Sequence, residues 1–85
     1  METLEIFQKV VDIIKEYVKE PERLNNISMD TTIIQDLKVN SARLVDIIIK
    51  SEDAFDIEID DDDADEIKTV GDAVKVVERK LCVTQ

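Results

Sequence analysis

A chain of 85 residues with a formal net charge of −10 can bury one small core but not a core plus a deep catalytic cleft. With 44% hydrophobic residues, one glycine and one proline, it has the composition of a packed helical domain, and its acidic excess argues against nucleic acid and anionic membrane surfaces, which attract Lys/Arg faces. Without histidine and with one cysteine, Cys82, it cannot assemble an internal disulfide, a Cys/His zinc site or a Ser-His catalytic pair.

No apolar run reaches membrane-spanning length, and the N-terminus lacks a basic region followed by a hydrophobic block. The chain is therefore read as one cytoplasmic domain, residues 1–85, with no membrane insertion. Cys82, between Leu81 and Val83, reads as a small buried or half-buried thiol.

In chain order, the first helix is predicted from Thr3 to about Val18, with Phe7, Val10, Val11, Ile14, Tyr17 and Val18 on one face. Pro21 and the polar cluster Asn25, Asn26 and Ser28 stop it and open a connection of about twenty residues, long for a compact domain. Leu24, Ile27, Ile33, Ile34 and Leu37 are available to anchor it, and Ile33 to Leu37 can add a short helical turn. The second helix, Ser41 to Phe55, carries Leu44, Val45, Ile47, Ile48, Ile49 and Phe55, an apolar surface wide enough for the central helix. Its three consecutive isoleucines would also suit a strand, but the apolar set continues at Phe55 on helical spacing and no alternating partner strand exists.

From Glu52 to Glu66 there are ten acids and no base. Ile57 and Ile59 read as anchors in this stretch, and a short third helix is expected from about Asp61 to Glu66. The spacing Asp61-x-Asp63-x-Asp65 approaches a calcium loop, but Glu66 stands where the turn glycine is needed, so no metal site is assigned. Divalent cations are expected only to relieve acid repulsion loosely. The clustered charge also marks Asp56 to Ile67 as the least stable segment. The last helix starts at Thr69, whose spacing to Asp72 resembles a capping box, and Val70, Ala73, Val74, Val77 and Leu81 form its apolar face. These elements define an all-α fold: a small antiparallel four-helix bundle, three long helices and one short, with a long first loop.

The stretch Asp36-Leu37-Lys38-Val39-Asn40-Ser41 runs into the second helix. Asn40 is a good N-cap, and Ser41 becomes the first helical residue with its hydroxyl directed out of the bundle. The unpaired N–H groups and the helix dipole favour an anion there. On these residues alone, a serine that merely helps cap the helix, as most serines at such sites do, is the preferred reading.

The run from Ile33 to Ser41, followed by Leu44-Val45-Asp46, by Glu52-Asp53-Ala54-Phe55-Asp56-Ile57-Glu58-Ile59 and by Ile67 to Val74, resembles the acyl carrier proteins over nearly the whole chain. The resemblance implies that Ser41 carries a 4′-phosphopantetheine arm, attached from coenzyme A by a phosphopantetheinyl transferase, with Asp36 and Asn40 beside it. It implies a carrier with no catalytic residue, serving fatty-acid, lipid or specialised secondary-metabolite synthesis. Acyl-transferring or condensing enzymes would dock basic patches on Arg43, Asp46, Glu52, Asp53 and Asp56, with the carrier acting as a monomer. The sequence departs from the family pattern at several positions: Lys38 stands for the family glycine, Asn40 for the aspartate before the serine, Ala42 for the following leucine and Arg43 for the next acid. Ser51 replaces a leucine that lines the acyl pocket. These changes point to a specialised carrier. The alternative from another class is an unmodified acidic helical interaction module without an arm.

Overall fold

The computed structural model describes residues 2–83, with side chains through Leu81, so the expectation of a buried thiol at Cys82 falls outside the described residues. Four helices occur among them: α1 (Thr3–Ile14), α2 (Ser41–Phe55), α3 (Asp61–Asp65) and α4 (Val70–Val83). The bounds of α2 are those expected, and α3 is one residue shorter. The first helix ends sooner than predicted, because its last turn tightens into a 3₁₀ segment, Lys15–Tyr17, before Val18 turns extended. A second 3₁₀ turn, Pro21–Leu24, begins on the proline, whose missing N–H costs nothing at a helix start.

In α1 the stripe Ile6, Val10 and Ile14 is fully buried, spaced four residues apart on one helical face, while Phe7 and Val11 flank it half-buried. This stripe packs mainly on α4, where Val70, Val74, Val76 and Val77 are each 2% exposed or less. Thr3 Oγ1 donates to Glu78 Oε2 at 2.6 Å and ties the two helices at one end. The expectation that α2 is central is corrected: α1 contacts α4 more extensively than it contacts α2. Only Ile47, Ser51 and Phe55 of α2 are buried, and Val45 and Ile49 are more than half exposed. One stripe of α2 suffices to close a bundle already built on α1 and α4.

Within the long loop, Ile33, Leu37 and Val39 are buried, whereas the proposed anchor Ile34 lies in solvent. The segment Ile33 to Leu37 closes as the single turn expected, in which the Asp36 and Leu37 N–H groups both donate to the Thr32 carbonyl. The loop is stitched to the connection between α3 and α4. Ile33 N–H donates to the Lys68 carbonyl at 3.0 Å, Val70 N–H to Thr31 at 2.9 Å and Gly71 N–H to Met29 at 2.8 Å, around an isolated antiparallel bridge between Thr32 and Thr69.

Gly71 is the point of closest approach, since a Cβ there would lie 2.7 Å from the Met29 carbonyl oxygen. Alanine is the better helix former by about 1 kcal/mol. That gain is outweighed by an overpacking cost of about 1–3 kcal/mol and by strain on neighbouring hydrogen bonds, each contributing about 1 kcal/mol. Gly71→Ala is expected to destabilise by about 2 kcal/mol in urea unfolding; a stabilised variant would show that the loop does not hold this close approach.

The start of α4 is the expected capping box. Asp72 N–H donates to Thr69 Oγ1 at 3.0 Å, and Asp72 Oδ2 accepts from the Thr69 and Lys68 N–H groups at 3.1 and 3.2 Å. Burial works to raise the Asp72 pKa, but these donors outweigh it and hold the carboxyl below its usual 3.8. A carboxylate with a depressed folded pKa adds stability above its unfolded value, and that contribution is lost as pH falls through the folded value. The stability difference between wild type and Asp72→Asn is therefore expected to shrink between about pH 7 and about pH 3. A difference independent of pH in urea titrations would exclude the charge as its source.

The acidic stretch is less free than its composition suggests. Asp60 caps α3 by accepting from Asp63 N–H at 2.9 Å. Asp63 then turns back to α4, where Lys80 Nζ and Arg79 Nη2 meet its two oxygens at 2.7 and 2.6 Å. Lys80, foremost, keeps the Asp63 carboxyl below its ordinary pKa, and Arg79 also reaches Glu66 at 3.1 Å. Among the described residues no group of metal-ligating side chains is arranged to hold an ion.

Candidate functional site

The loop-to-helix junction places Ser41 where the sequence puts it. Asn40 has extended backbone and its Oδ1 accepts from Ala42 N–H at 2.8 Å, while its carbonyl accepts from the Arg43 and Leu44 N–H groups. Capping is thus done by Asn40, and Ser41 is the exposed first residue of α2. Its hydroxyl makes no hydrogen bond among the described residues. The helix start and its dipole suit an anion carried on that oxygen.

Two features hold the junction in place. Leu37 and Val39 sink their side chains into the core on either side of Lys38. Asp36 makes a reciprocal pair with Thr32: its Oδ2 accepts from Thr32 N–H at 2.9 Å, and its own N–H donates to Thr32 Oγ1 at 3.1 Å. The Thr32 backbone N–H, foremost, holds the Asp36 carboxyl below its usual pKa. Asp36 therefore shapes the loop, and Arg23 Nη1 adds a bond to its carbonyl at 3.3 Å.

Lys38 has φ 56°, the left-handed region that glycine enters without steric cost. The backbone at this position keeps a glycine-like conformation although the residue is lysine. Arg43 pairs with Asp46 at 3.4 Å. Glu52 is half-buried, its Oε2 accepting from Ile59 N–H at 2.9 Å, and Asp53 is exposed. Asp56 terminates α2 in the left-handed conformation, and the next N–H, of Ile57, donates to the Glu52 carbonyl at 3.0 Å. The five residues thus run along α2 and past its end rather than forming one cluster. Ser51 is buried, and its hydroxyl donates to the Ile47 carbonyl at 2.8 Å, so a polar side chain stands satisfied inside the bundle.

Beside the junction lies an open groove of about 880 Å³ that the sequence reading did not foresee. It is formed by the end of the 3₁₀ turn after α1, by the loop at Ile34 and at Lys38 to Asn40, and by Arg43 of α2. Its walls come from three separated segments, so periodicity within one segment could not reveal it.

A family model described as the phosphopantetheine attachment site matches residues 8–77. Among solved structures, the acyl carrier protein from Enterococcus faecalis, described for the structural components behind its high thermal stability, superposes with a TM-score of 0.74 at 32% sequence identity. That match covers 94% of this chain and 99% of the other. No curated protein matches in sequence. The chain is a phosphopantetheine-bearing carrier domain, and it belongs to the acyl carrier protein family. Its cofactor is covalent 4′-phosphopantetheine and its role is carriage, not catalysis. Carriers of this kind meet a phosphopantetheinyl transferase and acyl-handling enzymes. No helix among the described residues is long and apolar enough to cross a membrane.

Proposed function

We propose that Ser41 is the residue to which the phosphopantetheine is joined, within a single carrier domain spanning residues 1–85. The observation that carries this reading is an exposed, unengaged hydroxyl at the first position of α2, beside a cap that Asn40 supplies without it. The surroundings fit the group: the helix start favours its phosphodiester, and the adjacent groove leaves room for it. When bound, the group supplies a thiol that holds acyl groups as thioesters. The protein's own residues present Ser41 to the transferase, Asp36 and Asn40 fixing the loop and the helix start.

Asp46, Glu52, Asp53 and Asp56, with Arg43 at the head of the helix, offer the docking surface, and enzymes with basic patches are the matching partners. Complementary charge of this kind speeds encounter while leaving the complex short-lived, which suits a monomeric carrier passing among cytoplasmic enzymes of fatty-acid, lipid or secondary-metabolite synthesis. Lys38, Asn40, Ala42 and Arg43 make the corner around Ser41 less acidic than the family pattern and favour a specialised clientele.

Incubation with coenzyme A and a phosphopantetheinyl transferase, followed by intact-mass measurement and peptide mapping, tests the reading. The expected result is a gain of one phosphopantetheine on the peptide holding Ser41. Gain on another residue would overturn the assignment to Ser41, and failure across several transferases would return the chain to an unmodified acidic interaction module.

A further inference from the structure

We propose that the groove between the Lys15–Tyr17 turn, the Lys38 to Asn40 loop and the head of α2 is a docking site for the arm itself. There the phosphodiester would lie towards Lys38 and Arg43 and the pantetheine chain along Tyr17, Val18 and Ile34. This inference rests on attachment at Ser41. Its first support is continuity: Asn40, which immediately precedes Ser41, and Arg43, two residues beyond it, both line the groove. A group joined to the serine starts at its rim.

The second support is charge. In a chain of net charge −10, this groove is lined by Lys19, Lys38 and Arg43 and by one carboxylate, Glu16; Arg43 is shared with Asp46 at 3.4 Å, so Lys19 and Lys38 carry the excess. The Glu16 carboxylate is already occupied, since Lys50 Nζ lies 3.1 Å from Glu16 Oε2 and 5.3 Å from the centre of the Tyr17 ring. Neither Lys19 nor Lys38 forms an ion pair among the described residues, although Lys38 stands near enough to Asp36 to help lower its pKa. The groove is therefore a cationic recess on an acidic protein, complementary to a phosphodiester.

The third support is the character of the walls. Tyr17, Val18 and Ile34 line it together with the cations, and Ile34 is an exposed apolar residue that the bundle does not cover. A chain of amides and methyl groups following an anionic head matches such a surface. The occupant, a flexible group tethered at one end, pays little further translational entropy to settle there, so modest contacts suffice.

The test compares backbone amide spectra of ¹⁵N-labelled apo and holo protein, with modification established by mass. Tyr17, Val18 and Lys19, more than twenty residues before Ser41, and the groove residue Ile34 are expected to shift on modification along with residues 38–43. Lys38→Gly, which removes a cation while suiting the left-handed backbone, and Lys19→Glu, an exposed position outside the junction, are each expected, once fully modified by mass, to return Val18 and Ile34 towards their apo positions. Shifts confined to residues 40–44, shifts falling instead on Ile57 to Ile67, or shifts indifferent to both variants would overturn the docking site and leave the attachment reading standing. Absence of mass gain in the wild type would overturn both.

Discussion

Ser41→Ala is expected to abolish the gain of phosphopantetheine completely while leaving the fold almost untouched. The two effects separate because the junction divides its labour. Asn40 accepts the Ala42 N–H and starts the helix, and the Ser41 side chain contributes neither a cap nor a hydrogen bond among the described residues. Alanine at an exposed first helical position is, if anything, the better helix former, by a few tenths of a kcal/mol, about 0.5 at most. Asn40→Ala should behave in the opposite way, costing about 1 kcal/mol through the lost cap while retaining the hydroxyl. Unfolding in urea and intact mass on the same two variants check the division. A Ser41→Ala protein destabilised by more than about 1 kcal/mol would mean that the serine, not the asparagine, holds the helix start.

Local chemistry was legible in the sequence and distant pairing was not. Asn40 and the Thr69/Asp72 box act over three residues or fewer, so turn and cap preferences alone located the ends of α2 and α4. The period of α1 identified Val10 and Ile14 but missed Ile6, whose burial depends on where α4 lies across the helix. Val76 was missed for the mirror-image reason: α4 is covered on more of its circumference than one apolar stripe requires. Val39, a lone apolar residue between lysine and asparagine, carries no periodic signal, yet it is 1% exposed. Conversely, the run Ile47-Ile48-Ile49 looked uniformly core-directed, and only the first of the three is buried, because α2 touches the bundle along a single stripe.

For the site, the serine and its cap were legible, but the forces holding the junction were not. The hydrogen bonds from Ile33, Val70 and Gly71 join segments more than thirty residues apart, and such pairing leaves no mark in either segment alone. The acidic block shows the same limit. Its composition suggested ten carboxylates repelling one another, whereas Asp63 is matched to Arg79 and Lys80 sixteen and seventeen residues on.

Leu37→Ala should be among the most damaging single changes in the loop that presents Ser41. Leu37 is 1% exposed, with Ile33 at 0% and Val39 at 1%, and these three side chains are the fully buried apolar pins of a connection that has no α-helix of its own. Truncating a fully buried leucine to alanine removes transfer energy and leaves a cavity, together costing about 2–5 kcal/mol. In a domain of this size that corresponds to a fall of roughly 10–25 °C in Tm. The loss should not be uniform, because the Thr32–Asp36 pair and the hydrogen bond from Ile33 to Lys68 depend on the loop lying flat on the core. Amide exchange is therefore expected to accelerate at Ile33, Asp36 and Val39 beyond what global destabilisation gives, while the centre of α1 follows the global change. Ile34→Ala supplies the contrast: one position along the same turn but 44% exposed, it should cost less than about 1 kcal/mol. Equal costs for the two variants would show that the loop is not pinned through Leu37, and that the presentation of Ser41 rests on the helix cap alone.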